Sequence, residues 1–375
     1  MAIASQLYSA LARLRRTMVE TTPGASRRLC RPVVSIGNLV VGGSGKTPLA
    51  ALVARLLAEA GERPAVLSRG YARTAPDEGV TIVSDGRRLR ADLARAGDEP
   101  LLLARSLPGV AVLVCADRYL AGCLAEQHLG ATVHVLDDGF QHMQLARDVN
   151  LLIVDRADVE RPRLLPGGRL REPLSAARAA DAVLVTGAEG DEVAQVADRL
   201  GVATAFTLHR DVEPAVEETV DGPRPLMPGA RVLVVSGIAR PERFVTEAVD
   251  GGFDVAGDVA FGDHHPYAAV DLTRIAQQAR ASGASIVLTT EKDFVRLLPL
   301  RPWPFRLAVR PMTVRVEPAD QFATWLLGRI RGGGALAPQS QEFRGARAPE
   351  VRGGRASALQ RSDRDGGSSA QQELA

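Results

Sequence analysis

Lysine is almost missing from this 375-residue chain. Of its 46 lysines and arginines, only Lys46 and Lys292 are lysine. Arginine serves wherever a cation has only to be solvated or paired, so a persisting lysine marks a place suited to a compact ammonium rather than a planar guanidinium. Cysteine is scarce as well. Cys30, Cys115 and Cys123 are odd in number and lack metal-ligand spacing, and they read as reduced structural thiols, as in a cytosolic protein. Neither sign of charge dominates: the net charge is +2, which argues against broad non-specific nucleic-acid binding, and no nucleic-acid partner is expected. No apolar run is long enough to span a bilayer, and Arg13, Arg15 and Arg16 follow the apolar start instead of preceding it. A transmembrane helix and a secretory signal are therefore not indicated. What remains is a hydrophobic content of 46%, ample for real cores, in a chain long enough for two domains.

One stretch organises the rest. Val33, Val34 and Ile36 form a β-branched run that leads through a glycine-rich turn into Leu49 to Ala60, a segment of strong helix formers. Strand, loop and helix in that order suit a phosphate-binding loop. Gly42, Gly43 and Gly45, with Ser44 among them, let backbone amides turn inward onto phosphate oxygens; Lys46 adds a point charge, and Thr47 offers a hydroxyl to Mg²⁺. The match to G-x-x-x-x-G-K-[ST] is incomplete, because Val40 stands at the first glycine position. A glycine turn capping an ordinary helix is the plainer alternative.

Further apolar runs recur at 65–67, 110–115, 133–136, 151–154, 182–185, 232–235 and 285–288, several of them continuous, with helix-like segments between. That pattern predicts parallel sheets in α/β layers, whose ligands gather beyond the carboxyl ends of the strands. Asp137 and Asp138 end one such run and are the preferred Mg²⁺ carboxylates, since adjacent acids are costly without a nearby cation; Asp155 is the rival. Asp98, ahead of a helical segment, reads as an N-cap able to accept a substrate proton. Residues 211–230 carry four prolines and no periodicity, so they read as a linker or edge structure between a first domain at 31–210 and a second at 231–330. In the second domain His264 and His265 adjoin in a loop without metal partners, which favours an acid/base or orienting role. Lys292 stands in Thr289-Thr290-Glu291-Lys292-Asp293, either functional or an ordinary surface lysine. Residues 1–30 contain an amphipathic helix with Ile3, Leu7, Leu11, Leu14 and Met18 along one stripe, which docks on the protein's own core or lies on a membrane surface. Residues 331–375 are polar and aperiodic and read as a disordered tail.

These pieces together resemble the tetraacyldisaccharide 4′-kinases of lipid A synthesis. The resemblance rests on Gly37-Asn38 with Gly42 to Pro48, Ser68-Arg69-Gly70-Tyr71, Gly97-Asp98-Glu99-Pro100, Leu136 to His142, Leu164-Leu165-Pro166 with Leu170 to Leu174, Phe261 with Asp263-His264-His265, and Thr289 to Asp293. It covers about residues 30 to 300. The resemblance implies a P-loop NTPase-type parallel-sheet domain with a second, smaller α/β domain. It also implies ATP-dependent phosphorylation of the 4′-hydroxyl of an acylated disaccharide 1-phosphate lipid at the cytoplasmic face of the bacterial inner membrane. Lys46 and the loop backbone would then hold ATP phosphates, and Thr47, Asp137 and Asp138 would hold Mg²⁺. Asp98 would take the hydroxyl proton, oriented by His264, while Arg69, Arg118 and Arg171 are candidates for anionic contacts to the substrate phosphate or ATP. The N-terminal helix becomes a peripheral membrane-surface element, and no obligate protein partner is inferred. A P-loop GTPase or ATPase switch acting on a protein partner is the alternative.

Overall fold

The computed structural model describes residues 24–332 together with Leu14, Met18 and Thr22. The chain runs through β1 (Val33–Asn38), α1 (Lys46–Glu59), β2 (Pro64–Ser68), β3 (Thr81–Asp85), α2 (Leu93–Ala96), α3 (Asp98–Ser106), β4 (Ala111–Val114) and α4 (Arg118–Leu129). It continues with β5 (Val133–Leu136), β6 (Val149–Asp155), α5 (Arg156–Glu160), β7 (Ala182–Thr186), α6 (Asp191–Leu200) and β8 (Ala205–Val212). These eight strands and β15 (Met312–Glu317) build a nine-stranded sheet in the order β15-β8-β7-β6-β1-β5-β2-β4-β3, parallel from β4 through β8 and antiparallel at its two edges. β1 lies at its centre and is buried throughout. Its side chains divide by the period of two: Val34 and Ile36 enter one core with Leu49, Val53 and Leu57 of α1, whereas Val33 enters another with Leu67, Leu113 and Leu136. Burial on both faces explains why the runs are continuously apolar.

The second sheet is made by β9 (Val216–Thr219), β10 (Gly222–Pro225), β11 (Arg231–Ser236), α7 (Pro241–Asp250), β12 (Asp254–Ala260), α8 (Ala269–Ser282), β13 (Ile286–Thr290), α9 (Glu291–Leu297) and β14 (Leu307–Arg310), in the strand order β10-β9-β14-β13-β11-β12. The chain then returns: β15 (Met312–Glu317) pairs with β8, and α10 (Ala319–Gly332) places Phe322, Leu326 and Ile330 in the core beneath α1. All seven apolar runs are strands, as the α/β reading requires.

The boundaries drawn from sequence need correction. Residues 211–230 are not a bare linker, because β8 extends to Val212 and the hairpin β9–β10 belongs to the second sheet. Edge structure is what the prolines mark: β10 is an edge strand with exposed Pro223 and Pro225, a setting in which a sheet tolerates them. Nor does the second lobe run to 330. It is a continuous insertion, entered and left at adjacent positions, where Val212 faces Met312 and the Glu213 amide donates to the Pro311 carbonyl at 2.9 Å. Most of the N-terminal stripe lies outside the described residues; Leu14 and Met18 are described, and both are exposed. The tail, apart from Arg331 and Gly332 at the end of α10, lies outside them too.

Candidate active site

The loop between β1 and α1 is built from a buried asparagine. Asn38, at the end of β1, donates from Nδ2 to Ser44 Oγ at 2.6 Å and accepts from Lys46 Nζ at 3.3 Å through Oδ1. Gly42 and Gly45 take φ of 94° and 90°, conformations that side-chained residues rarely adopt. Val40, the departure from the general motif, has a physical reason. It forms a β-bridge to Leu170, flanked by Val41 N to Arg169 O at 2.9 Å and Arg171 N to Leu39 O at 2.7 Å, and its side chain is buried. The loop thus starts as a strand pinned to residues 169–171, and a glycine there would loosen it. Gly37 answers to a different need: a Cβ on it would stand 2.4 Å from Phe140 Cβ.

Beside the loop, β5 delivers Asp137 and Asp138. Asp138, at φ 53°, faces Lys46 Nζ at 3.5 Å and Arg171 Nη1 at 3.4 Å. Asp137 is buried, and its Oδ1 has no hydrogen-bond partner. Burial, reinforced by the charges of Glu99 and Asp138 against the pull of Lys46 and Lys292, pushes its carboxyl up to about 7. An orphaned carboxylate oxygen in that position fits a cation supplied from outside. Among the described residues no cluster of three or more His, Cys, Asp and Glu side chains forms a metal cage. Mg²⁺ takes few protein ligands and completes its shell with phosphate and water. Thr47, at the start of α1, is also buried. Asp155 is engaged otherwise, accepting Ala157 N at 3.0 Å as the cap of α5 and Thr186 Oγ1 at 3.3 Å. Both residues line a cavity with Val40, Gly43 and Ser44 of the loop.

Arginines gather on this side. Arg118 is buried, donates from Nη1 to Ala116 O at 2.9 Å, and leaves Nε without a partner. Burial and the neighbouring charge of Arg69 lower its pKa, while Asp138 and Asp137 oppose the shift. Arg69 itself is exposed.

Asp98 and His264 meet across the two lobes. Asp98 is the first residue of α3, with Gly97 in the N-cap position, so the sequence reading of Asp98 as the cap is off by one. Its Oδ2 faces His264 Nδ1 at 2.9 Å, and Arg296 of α9 donates to the same oxygen from Nε at 2.9 Å and from Nη2 in a shorter contact. Burial would raise the Asp98 carboxyl, but the His264 hydrogen bond and the Arg296 charge outweigh it and hold the group well below the usual carboxylate range. The same hydrogen bond raises His264 against the effect of its own burial. His264 adopts φ 59° and rests edge-on against Tyr71 of the first lobe at 5.4 Å. His265 turns away, pairing with Asp271 at 3.0 Å and stacking on Phe261 at 4.5 Å.

Sequence reasoning missed Arg296 and Asp293. Asp293 is fully buried and accepts from Gly237 N at 3.0 Å, Tyr267 Oη at 3.1 Å, Thr290 Oγ1 at 2.7 Å and Arg296 Nη1 at 2.9 Å, so it fixes the guanidinium that grips Asp98. Nothing in the sequence separates Arg296 from the chain's other arginines. Its position four residues after Lys292 on one helix was the available signal.

The chain is similar to known proteins over most of its length. The family model for Tetraacyldisaccharide-1-P 4′-kinase matches residues 1–331. A tetraacyldisaccharide 4′-kinase of Geobacter metallireducens is 42% identical over 304 residues, covering 80% of this chain and 88% of its own. One from Anaeromyxobacter sp. is 42% identical over 346 residues, covering 89% and 92%. The crystal structure of LpxK from Aquifex aeolicus in complex with ATP superposes with a TM-score of 0.70 at 31% identity, over 88% of this chain and 98% of the other. A family match over residues 1–331, with relatives 42% identical over most of both chains, places this chain in the tetraacyldisaccharide-1-P 4′-kinase family.

Proposed function

We propose that this chain transfers the γ-phosphoryl group of ATP to the 4′-hydroxyl of a tetraacyl disaccharide 1-phosphate, and that it does so peripherally at the cytoplasmic face of the bacterial inner membrane. The observation that carries the reading is the Asp98–His264 pair, built across two lobes beside a phosphate loop. A nucleotide switch for a protein partner has no use for it. Phosphoryl transfer depends mainly on positioning and charge stabilisation, and the residues divide accordingly. Gly42, Gly43, Ser44 and Gly45 cradle the phosphates, and Lys46 neutralises them. Thr47, Asp137 and Asp138 hold Mg²⁺, which when bound offsets phosphate charge. Arg118 and Arg171, with Arg69 beside them, receive the anionic end of the lipid.

Asp98 and His264 take the hydroxyl proton as a coupled pair. Asp98 fixes the His264 ring through the 2.9 Å contact between its Oδ2 and Nδ1, and the two share the transferred proton as one unit. No helix among the described residues is long and apolar enough to cross a membrane. The exposed Leu14 and Met18 support surface attachment, with acyl chains remaining in the bilayer. The deciding experiment is mass spectrometry of the acyl disaccharide 1-phosphate incubated with ATP, Mg²⁺ and the protein. A product heavier by one phosphate supports the reading, and ATP hydrolysis without lipid product would overturn it.

A further inference from the structure

The chain's second lysine has no part in that reading, yet it stands where positive charge is least expected. Lys292 lies in the first turn of α9, the helix end at which cations are disfavoured. Its ammonium makes a short contact with Oε1 of Glu99, in the first turn of α3 on the other lobe. Four residues on, along the same face of α9, Arg296 meets Asp98, the neighbour of Glu99. The two ion pairs differ in surroundings. The side chains of Arg296 and Asp98 are each 5% exposed, whereas those of Lys292 and Glu99 are 30% and 29% exposed. Only the second pair keeps contact with solvent, so only its lysine is free to exchange partners at modest cost.

Its location matters more than its exposure. Lys292 lies within electrostatic reach of Asp98 on the acceptor side and of Asp137 on the donor side. Both lysines of the chain therefore act on Asp137, Lys46 from the phosphate loop and Lys292 from the second lobe. Between Asp137 and Asp98 is the place where the proposed reaction puts the phosphoryl group in transit.

Resting on the kinase reading above, we propose that Lys292 is a second phosphate-binding cation that contacts the γ-phosphoryl group during transfer, and that Glu99 holds its ammonium beside the site until ATP arrives. The bond from the γ-phosphorus to the β–γ bridging oxygen breaks, and ADP leaves with the electron pair. A bond to the sugar oxygen forms, and that oxygen's proton goes to the Asp98–His264 pair. Charge on the equatorial oxygens is what an ammonium from the acceptor side stabilises. A lysine suits this exchange of partners, because a guanidinium forked on the Glu99 carboxylate would leave it less readily.

Lys292→Met, Lys292→Arg and Glu99→Gln test the assignment in the full chain. Steady-state transfer to the acyl disaccharide 1-phosphate gives kcat, and calorimetry without lipid gives affinities for ATP and ADP with Mg²⁺. Lys292→Met should lower kcat about 100-fold. It should also cut the preference for ATP over ADP about tenfold, the worth of one charge-assisted hydrogen bond, and Lys292→Arg should recover part of that preference. Glu99→Gln, which frees the ammonium, should keep or raise it. If Lys292→Met and Glu99→Gln lower Tm alike and leave the ATP-to-ADP ratio unchanged, Lys292 is only an interlobe latch and the proposal falls. The ratio is read without lipid, so absence of lipid phosphorylation by the natural chain would count against the kinase reading while the lysine is still tested.

Discussion

Each lobe supplies one half of the Asp98–His264–Arg296 cluster, and its charge state sets how the protein responds to substitution and pH. Asp98→Asn keeps the shape and leaves Arg296 with Asp293 as its remaining carboxylate partner, so it should cost less than the about 3–5 kcal/mol of a buried charge left unpaired. Lipid phosphorylation should fall at least about 100-fold, while ATP affinity measured by calorimetry hardly moves. A near-normal rate would remove Asp98 from the proton-transfer pair. The pH dependence carries a definite sign. His264 is raised above its unfolded value, so the stability it contributes is full below about pH 6.5 and is lost as pH rises through the higher folded value. Asp98 is lowered, and its contribution fades only as pH falls below about 4. The Tm difference between the natural chain and His264→Ala should therefore shrink from about pH 6 to about pH 9, and a constant difference would contradict the ion pair.

The elements reveal both how much of the site the sequence made legible and where it stopped. Strand ends could be located because continuous apolar runs betray parallel strands: Asp137 and Asp138 follow β5 directly and Lys46 closes the loop after β1, whereas Asp98 and His264 were legible only as a residue ahead of a helix and one of two adjacent histidines in a loop. The bridge from Val40 to Leu170 was illegible, since pairing between loop segments leaves no periodicity. It carries a prediction that runs against the motif: Val40→Gly, which restores the missing glycine, should weaken ATP binding and lower Tm, because burial of a valine contributes about 1.5–3 kcal/mol. Tighter binding would refute the strand-like start of the loop. The return of α10 to the first sheet was hidden for a related reason, as its apolar stripe names no partner. Phe322 is 1% exposed and packs edge-on against Phe206 of β8 at 5.2 Å. Phe322→Ala should cost about 3–5 kcal/mol in thermal or urea unfolding, whereas an exposed α10 would lose almost nothing.

For the whole molecule, the inserted second lobe is the organising feature. Replacing 214–310 with a short turn between Glu213 and Pro311 should leave a folded nucleotide-binding lobe that shows no lipid phosphorylation, with ATP binding read by calorimetry and folding by circular dichroism. Loss of ATP binding would mean that the loop depends on the insertion. The same side-by-side entry and exit also dictates an order of assembly. Until Met312–Glu317 leaves the ribosome, β8 is an open sheet edge at which another chain can pair. Closing about a hundred intervening residues as a random loop would cost on the order of 4 kcal/mol in chain entropy. A second lobe that folds first brings Glu213 and Pro311 together beforehand and removes that penalty. Substitutions that slow folding of the inserted lobe should therefore lower the yield of soluble protein even where its final stability is unchanged.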